Sequence, residues 1–116
     1  EKLAKKIAVE QNKINKKIKI FLQINIGDEN HKSGINKDDV SQLVSCCEKI
    51  GLDIIGLMCI PPANIDPEGY FDEMNKLNKT LDLNELSMGM SSDFLIAAKH
   101  FSTYVRVGSS IFGQRF

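Results

Sequence analysis

The sequence predicts an α/β chain built on a parallel sheet. Three observations lead there. Short apolar runs recur along the 116 residues, at IKIFLQINI, DIIGLMCI, ELSMGM and YVRV. Amphipathic stretches lie between them, with apolar residues three or four apart, the spacing of one helix face. Gly, Pro or polar clusters then stop one element and start the next. Strands alternating with helices of this length are βαβ units, whose strands run parallel. Four such units suit a doubly wound sheet or half of an eight-stranded barrel.

Taken in order, residues 2–14 carry Leu3, Ala4, Ile7, Ala8 and Ile14 on a loose helical stripe. IKIFLQINI alternates strictly. Ile18, Ile20, Leu22, Ile24 and Ile26 share one face, and Lys19, Phe21, Gln23 and Asn25 the other, as the two-residue period of a strand requires. The polar GDENHKSGINK makes a loop. Asn36 is placed to cap the next helix, with Asp38 and Asp39 in its positive first turn. Val40, Leu43, Val44, Cys47 and Ile50 form its buried stripe, and Gly51 supplies a left-handed stop. DIIGLMCI is nearly continuous in apolar residues, as a strand covered on both faces is, and Pro61 and Pro62 end it. Asp66-Pro67 opens a third helix, with Pro in the first position and Tyr70, Phe71, Met74, Leu77 and Leu81 on its stripe. ELSMGM is the third strand. Ser91 or Ser92 is expected to cap the following helix, which carries Phe94, Leu95, Ala98 and Phe101. YVRV is the fourth strand, and GSSIFGQ opens a short final turn or helix.

Composition excludes several classes of function. Fifteen Lys and Arg balance fifteen Asp and Glu, so a strong sequence-independent pull on nucleic acid is not expected. Lysines crowd the start, at Lys2, Lys5, Lys6, Lys13, Lys16, Lys17 and Lys19; they form a solvated helix face and the linker after it, or a basic docking patch. Cys46, Cys47 and Cys59 are odd in number and contain no C-x-x-C, so neither a zinc set nor a disulfide framework is read from them. A reducing cytoplasmic setting is expected. No stretch approaches the roughly 20 apolar residues of a membrane span, and the Lys-rich opening is not a signal peptide. The chain begins at Glu1, directly in a helical pattern, as a fragment would.

Two strand ends carry the strongest chemical signal. SMGMSSD and RVGSSIFG both run from a strand into small residues and a helix start, where free backbone N–H groups favour an anion. In barrels, the loops after the last two strands often hold a phosphate. Ser91 offers a hydroxyl, Gly108 lets the backbone approach closely, and Ser109 adds an N–H and a hydroxyl. The alternative is a pair of ordinary turns with serine caps. Asp93 would repel phosphate if its carboxylate faced the same site. Arg106 sits between Val105 and Val107. If the valines pack outward, Arg106 points inward and needs an acceptor, since an unpaired buried charge is costly. That acceptor is a carboxylate such as Glu85, or a ring nitrogen or anion of a ligand. Gln23 and Asn25, with Ser87, Gly89 and Ser91, turn the inward face polar near the strand ends where α/β sites lie. Gln23 and Asn25 could equally pair with barrel neighbours.

Other matches fail. GSSIFGQ has the glycine spacing of a phosphate-binding loop, but Gln114 stands where Lys is required. DENHKSG starts like a calcium loop, but Lys32 and Ser33 break it. His31 and His100 are lone residues, and Met58, Met88 and Met90 are packing residues.

From Leu86 to Arg115, LSMGMSSDFLIAAKHFSTYVRVGSSIFGQR resembles the pyridoxal phosphate homeostasis protein family, single-domain PLP-binding barrels similar to the N-terminal domain of alanine racemase. Gln23, Asn25, Glu29, Lys32 and Gly34 match the family's strand and loop, and GLMCIPP its next strand. The likeness runs over residues 18–115. It implies the C-terminal half, about four βα units, of a TIM-type (β/α)8 barrel, with pyridoxal 5′-phosphate as cofactor. Ser91 would hold the phosphate, Gly108 and Ser109 would add contacts to it, and Arg106 would face the pyridine nitrogen. The family's Schiff-base lysine follows an early strand of the N-terminal half, and no lysine here sits in a matching motif. The implied function is PLP homeostasis without strong catalysis, the alternative being a racemase-like PLP enzyme. The expected partners are PLP and, through the open barrel edges, the N-terminal half or a second copy; neither nucleic acid nor membrane is expected.

Overall fold

The computed structural model describes residues 1–30 and 33–114. Helices and strands alternate from the first residues: α1 (Lys2–Lys13), β1 (Lys19–Ile24), α2 (Val40–Lys49), β2 (Asp53–Cys59), α3 (Glu68–Thr80), β3 (Glu85–Met90), α4 (Phe94–Lys99), β4 (Tyr104–Arg106) and α5 (Ser109–Phe112). All neighbouring strands pair in parallel, in the order β1-β2-β3-β4. A doubly wound sheet reverses its strand order midway. This sheet does not, and right-handed crossovers running always in one direction leave the helices on one face. That is the arrangement of half a barrel.

The helix-facing side holds the core. Ile24, Leu57, Cys59, Leu86 and Met88 of the sheet pack with Val40 and Val44 of α2, Phe71 and Met74 of α3 and Ala97 of α4. A second cluster joins Ala8 of α1 to Cys47, Leu52 and Ile54. The alternation read in β1 holds: Ile20, Leu22 and Ile24 belong to these clusters. Gln11, buried in α1, donates to Gly51 O at 3.0 Å and accepts from the Ile18 N–H at 3.3 Å. It ties α1 to the end of α2.

The predicted stop of α2 forms as expected. Gly51 has φ +86, its N–H donates to Glu48 O, and the Leu52 N–H donates to Cys47 O. This pair of bonds is a Schellman ending, whose left-handed position glycine enters most easily. Asp66 accepts from the Glu68 N–H at 3.1 Å, so α3 starts within one residue of the expected place.

Two cap expectations are corrected. Asn36 accepts from the Asp38 N–H at 2.9 Å in a turn that precedes α2. The helix begins at Val40 with Asp39 as its N-cap residue, so Asp38 and Asp39 lie ahead of its first turn. Neither Ser91 nor Ser92 occupies the N-cap position of α4; Asp93 does. Its carboxylate turns back and accepts from the Met90 N–H at 2.8 Å.

The other face of the sheet is concave. The rings of Phe21 on β1 and Tyr104 on β4 meet edge to face, with centroids 5.1 Å apart. On a flat sheet these strands would lie about 14 Å apart, three spacings of 4.8 Å. Curvature brings them together, and Gly56 between them makes the room. The shift of register between β1 and β2 leaves Ile55 without a partner, so that Gly56 falls opposite Phe21 and beside Glu85. A β-bulge of this kind bends the strand.

Candidate functional site

The site gathers where β2, β3 and β4 end. The β3–β4 ladder carries a second irregularity: Ser87 pairs with Tyr104, and Met90 with Arg106, three residues of β3 against two of β4. Gly89 lies in this bulge with φ +103. A Cβ there would meet Ala97 Cβ at 2.7 Å and Phe94 Cα at 3.1 Å. The expectation that Gly89 shares a face with Ser87 and Ser91 is therefore corrected: the bulge turns it toward α4.

Arg106 points across the strand ends. Its Nη2 donates to Cys59 O at 2.9 Å. Its Nε is buried and has no partner among the described residues. The expected structural acceptor, Glu85, stands at the opposite end of β3, roughly 16 Å of strand away, and no carboxylate forms a salt bridge with Arg106 among the described residues. Val105 turns to the α4 side as expected, its Cγ1 3.4 Å from where a Cβ on Gly89 would stand. Val105 is 43% exposed at the open edge of β4, because no strand covers that side among the described residues.

The two serine turns meet. The Ser110 N–H donates to Ser91 Oγ at 3.1 Å, which leaves the Ser91 hydroxyl proton free to donate elsewhere. In α5 the N–H groups of Ile111 and Phe112 both donate to Gly108 O, at 2.9 and 2.8 Å. The Ser109 N–H finds no acceptor among the described residues. Gly108 has an ordinary φ of −119, and a Cβ on it would meet nothing within 4 Å. Neither backbone nor packing calls for glycine there, so its effect is to keep space open beside these donors. The bond to Met90 engages one oxygen of Asp93, which ties the carboxylate that threatened an anion to its own turn.

The β1–α2 loop closes over the end of β1. Asn25 donates through Nδ2 to Glu29 O at 2.8 Å and accepts from the Glu29 N–H at 3.1 Å. Asn25 thus braces its own loop and does not pair with a strand neighbour. The loop returns at Ile35, whose N–H donates to Gln23 O and whose carbonyl accepts from the Asn25 N–H. Gly34, at φ +111, passes so close to this strand that a Cβ would lie 2.9 Å from Asn25 N. His31, Lys32 and Arg115 lie outside the described residues. A cleft of about 410 Å³ opens between the loops after β2 and β3, with Cys59, Pro62, Met90 and Asp93 in its walls.

Cys59 is wholly buried beneath Arg106. Burial pushes its thiol up to about 12, against the pull of the Arg106 charge. In the unfolded chain a cysteine titrates near 8.5. Its contribution to stability is full below that value and falls as pH rises toward the folded one, by about 1.4 kcal/mol per pH unit. At pH 8, iodoacetamide is expected to label Cys59 only after urea unfolds the chain. Equal labelling rates in the native and unfolded states would refute this.

Sequence reasoning missed three residues that shape the site. Gly56 lies close against Glu85 O, and Ser102 and Thr103 bond the β3 backbone through their hydroxyls; no periodic signal marks them. Among the described residues no group of side chains could hold a metal ion, and no helix is long and apolar enough to cross a membrane.

A family model described as alanine racemase, N-terminal domain, matches residues 1–115. A protein named pyridoxal phosphate homeostasis protein from Corynebacterium glutamicum is 38% identical, over 82% of this chain and 46% of its own length. One of the same name from Aquifex aeolicus is 34% identical, over 83% of this chain and 46% of its own length. The chain thus spans about half the length of the curated relatives it matches. Among solved structures, PipY of Synechococcus elongatus PCC7942 with PLP bound superposes with a TM-score of 0.85 at 26% identity, over 96% of this chain and 56% of that one. The same protein without PLP gives 0.88 at 27% identity, over 96% of this chain and 57% of that one.

Proposed function

The chain belongs to the alanine racemase N-terminal domain family, and we propose that it forms the part of a PLP homeostasis protein that grips the phosphate and ring of pyridoxal 5′-phosphate. The observation that carries this reading is Arg106 Nε, a buried cationic donor with no acceptor among the described residues. It lies at the same strand ends as the contact between Ser91 and Ser110. The residues fit the cofactor in chemistry. Ser91 Oγ–H, the Ser109 N–H and its hydroxyl are neutral donors suited to a phosphate, beside the open space at Gly108. Arg106 is suited to a ring nitrogen's lone pair.

PLP, when bound, supplies a pyridine ring that can draw electrons from an attached amino compound. Arginine limits that use. It keeps its proton throughout the accessible pH range, so it donates a hydrogen bond and leaves the ring nitrogen unprotonated. A ring held neutral is a poor electron sink. This favours holding and delivering PLP over turning over amino acids. The racemase alternative needs an acid/base residue opposite the cofactor lysine.

We assign the outer edges of β1, ahead of its bridge from Ile24 to Ile35, and of β4 to pairing with further βα units of the same barrel, which would bring the Schiff-base lysine. The exposure of Tyr104 and Val105 on β4 supports this, since an unpaired apolar edge invites another strand. A second copy of the chain is the other candidate for these edges. A cytoplasmic setting fits the three free cysteines.

PLP added to the full-length protein is expected to give a near-visible absorbance band that borohydride abolishes. No band, and no effect of borohydride, would sink the reading. Rapid racemisation of alanine by the PLP-loaded protein would favour the enzyme instead.

A further inference from the structure

We propose that Ser102 is a positioning residue for Arg106, acting through the backbone of β3. The irregular ladder between β3 and β4 raises a question of satisfaction. Met88 is 0% exposed, so its N–H and C=O need partners inside the protein. The β4 backbone lacks a residue to face it, because two residues of β4 stand against three of β3 here. Ser102 supplies both partners from one side chain. Its Oγ accepts from the Met88 N–H at 3.2 Å and lies 2.7 Å from Met88 O. Tyr104 O at 2.9 Å and Leu86 O at 3.2 Å are also in reach. A hydroxyl has one proton, and Met88 O, the nearest, takes the main bond.

Thr103 does the same for the preceding rung. Its N–H donates to Leu86 O at 2.9 Å, and its Oγ1 accepts from the Leu86 N–H at 2.8 Å. The two hydroxyls differ in one respect. Thr103 fastens β4 to β3 before the extra residue, whereas Ser102 binds the residue directly ahead of Gly89, where the bulge turns.

Without the Ser102 hydroxyl, Met88 keeps two buried polar groups with no partner, each costly. The strand pair can recover them by drawing the bulge into a regular ladder. Register then changes by one residue, and such a slip carries a side chain to the opposite face. Arg106, which follows Ser102 by four residues and pairs with Met90 just beyond the bulge, would leave Cys59 O. The placement of the guanidinium is thus held by a side chain that does not touch it. The effect on ligand binding rests on the PLP reading above; the effect on Arg106 does not.

The test follows the Arg106 Nε–Hε resonance by ¹⁵N NMR in the full-length protein, beside PLP titrations read by absorbance. Ser102→Ala is expected to displace the resonance and weaken PLP about tenfold, the cost of roughly one buried hydrogen bond. Ser102→Thr, which keeps the hydroxyl, should restore both. Thr103→Ala should lower the midpoint of urea unfolding yet leave the resonance in place. An unmoved resonance in folded Ser102→Ala, or an equal displacement in Thr103→Ala, would overturn the inference. If wild-type protein takes no PLP while Ser102→Ala moves the resonance and Ser102→Thr returns it, the positioning role stands and the PLP reading falls. Should Ser102→Ala not fold, Ser102→Cys, of similar size and a poorer hydrogen-bonding group, carries the same expectation.

Discussion

Arg106→Gln in the full-length protein is expected to weaken PLP at least tenfold and to change its absorbance spectrum. Glutamine removes the permanent charge and most of the guanidinium donors, and a hydrogen bond to a charged group contributes about 1.5–3 kcal/mol. The spectral change is the more specific sign. An arginine holds its partner nitrogen unprotonated, whereas a neutral amide offers either a donor or an acceptor and lets that nitrogen titrate. The variant's spectrum should therefore become pH-dependent where the wild type's is not. The loss of the bond to Cys59 O also frees a backbone carbonyl, so unfolding midpoints should be measured alongside to separate affinity from stability. An unchanged spectrum and affinity in a folded variant would remove Arg106 from the site.

Gly56→Ala is expected to cost about 3 kcal/mol, near the upper end for an overpacking substitution. A Cβ at this position would lie 1.9 Å from Glu85 O and 2.6 Å from Glu85 C. Both are backbone atoms, so no side chain can swing aside, and β2 must part from β3. The same Cβ would press on Phe21 at 3.0 Å, against the ring that meets Tyr104. Gly69→Ala serves as the control. Gly69 lies in α3 with nothing within 4 Å of its notional Cβ, and alanine there should stabilise by about 0.5–1 kcal/mol through helix propensity. Urea unfolding reads both changes. A Gly56→Ala protein as stable as wild type would show that the close approach of β2 to Glu85 does not hold in solution.

The elements were legible because each obeys a local period. The alternation of Ile20, Leu22 and Ile24 and the stripe of Phe71 and Met74 point at the helix-facing side; Ile24, Phe71 and Met74 are buried there, with Leu22 and Ile20 packed against the two clusters. Caps were less legible. Asn36, Ser91, Ser92 and Asp93 are all competent to cap, and the geometry of the loop decides which one reaches a free N–H. Asp93 reaches Met90 because the turn after β3 brings it back. Arg106 was legible as an inward charge, but its partner was not. Glu85 lies on the neighbouring strand, yet a strand's length separates them. The carbonyl of Cys59, 47 residues away, receives the bond instead.

The sequence by itself determined the order of helices and strands, the faces that α2 and α3 bury, and the two serine turns with an arginine between them. These depend on contacts within a few residues, where side-chain period and turn chemistry act directly. The sequence misplaced the face of α4, which buries Ala97 and leaves Leu95 and Phe101 exposed. The tertiary structure alone decided that the two turns touch, at Ser91 and Ser110, and that Arg106 leaves one donor buried without a partner. Both outcomes depend on strand register, set by bulges at Ile55 and Gly89. A bulge forms where backbone groups of two distant segments find partners, and no local pattern of residues reports that.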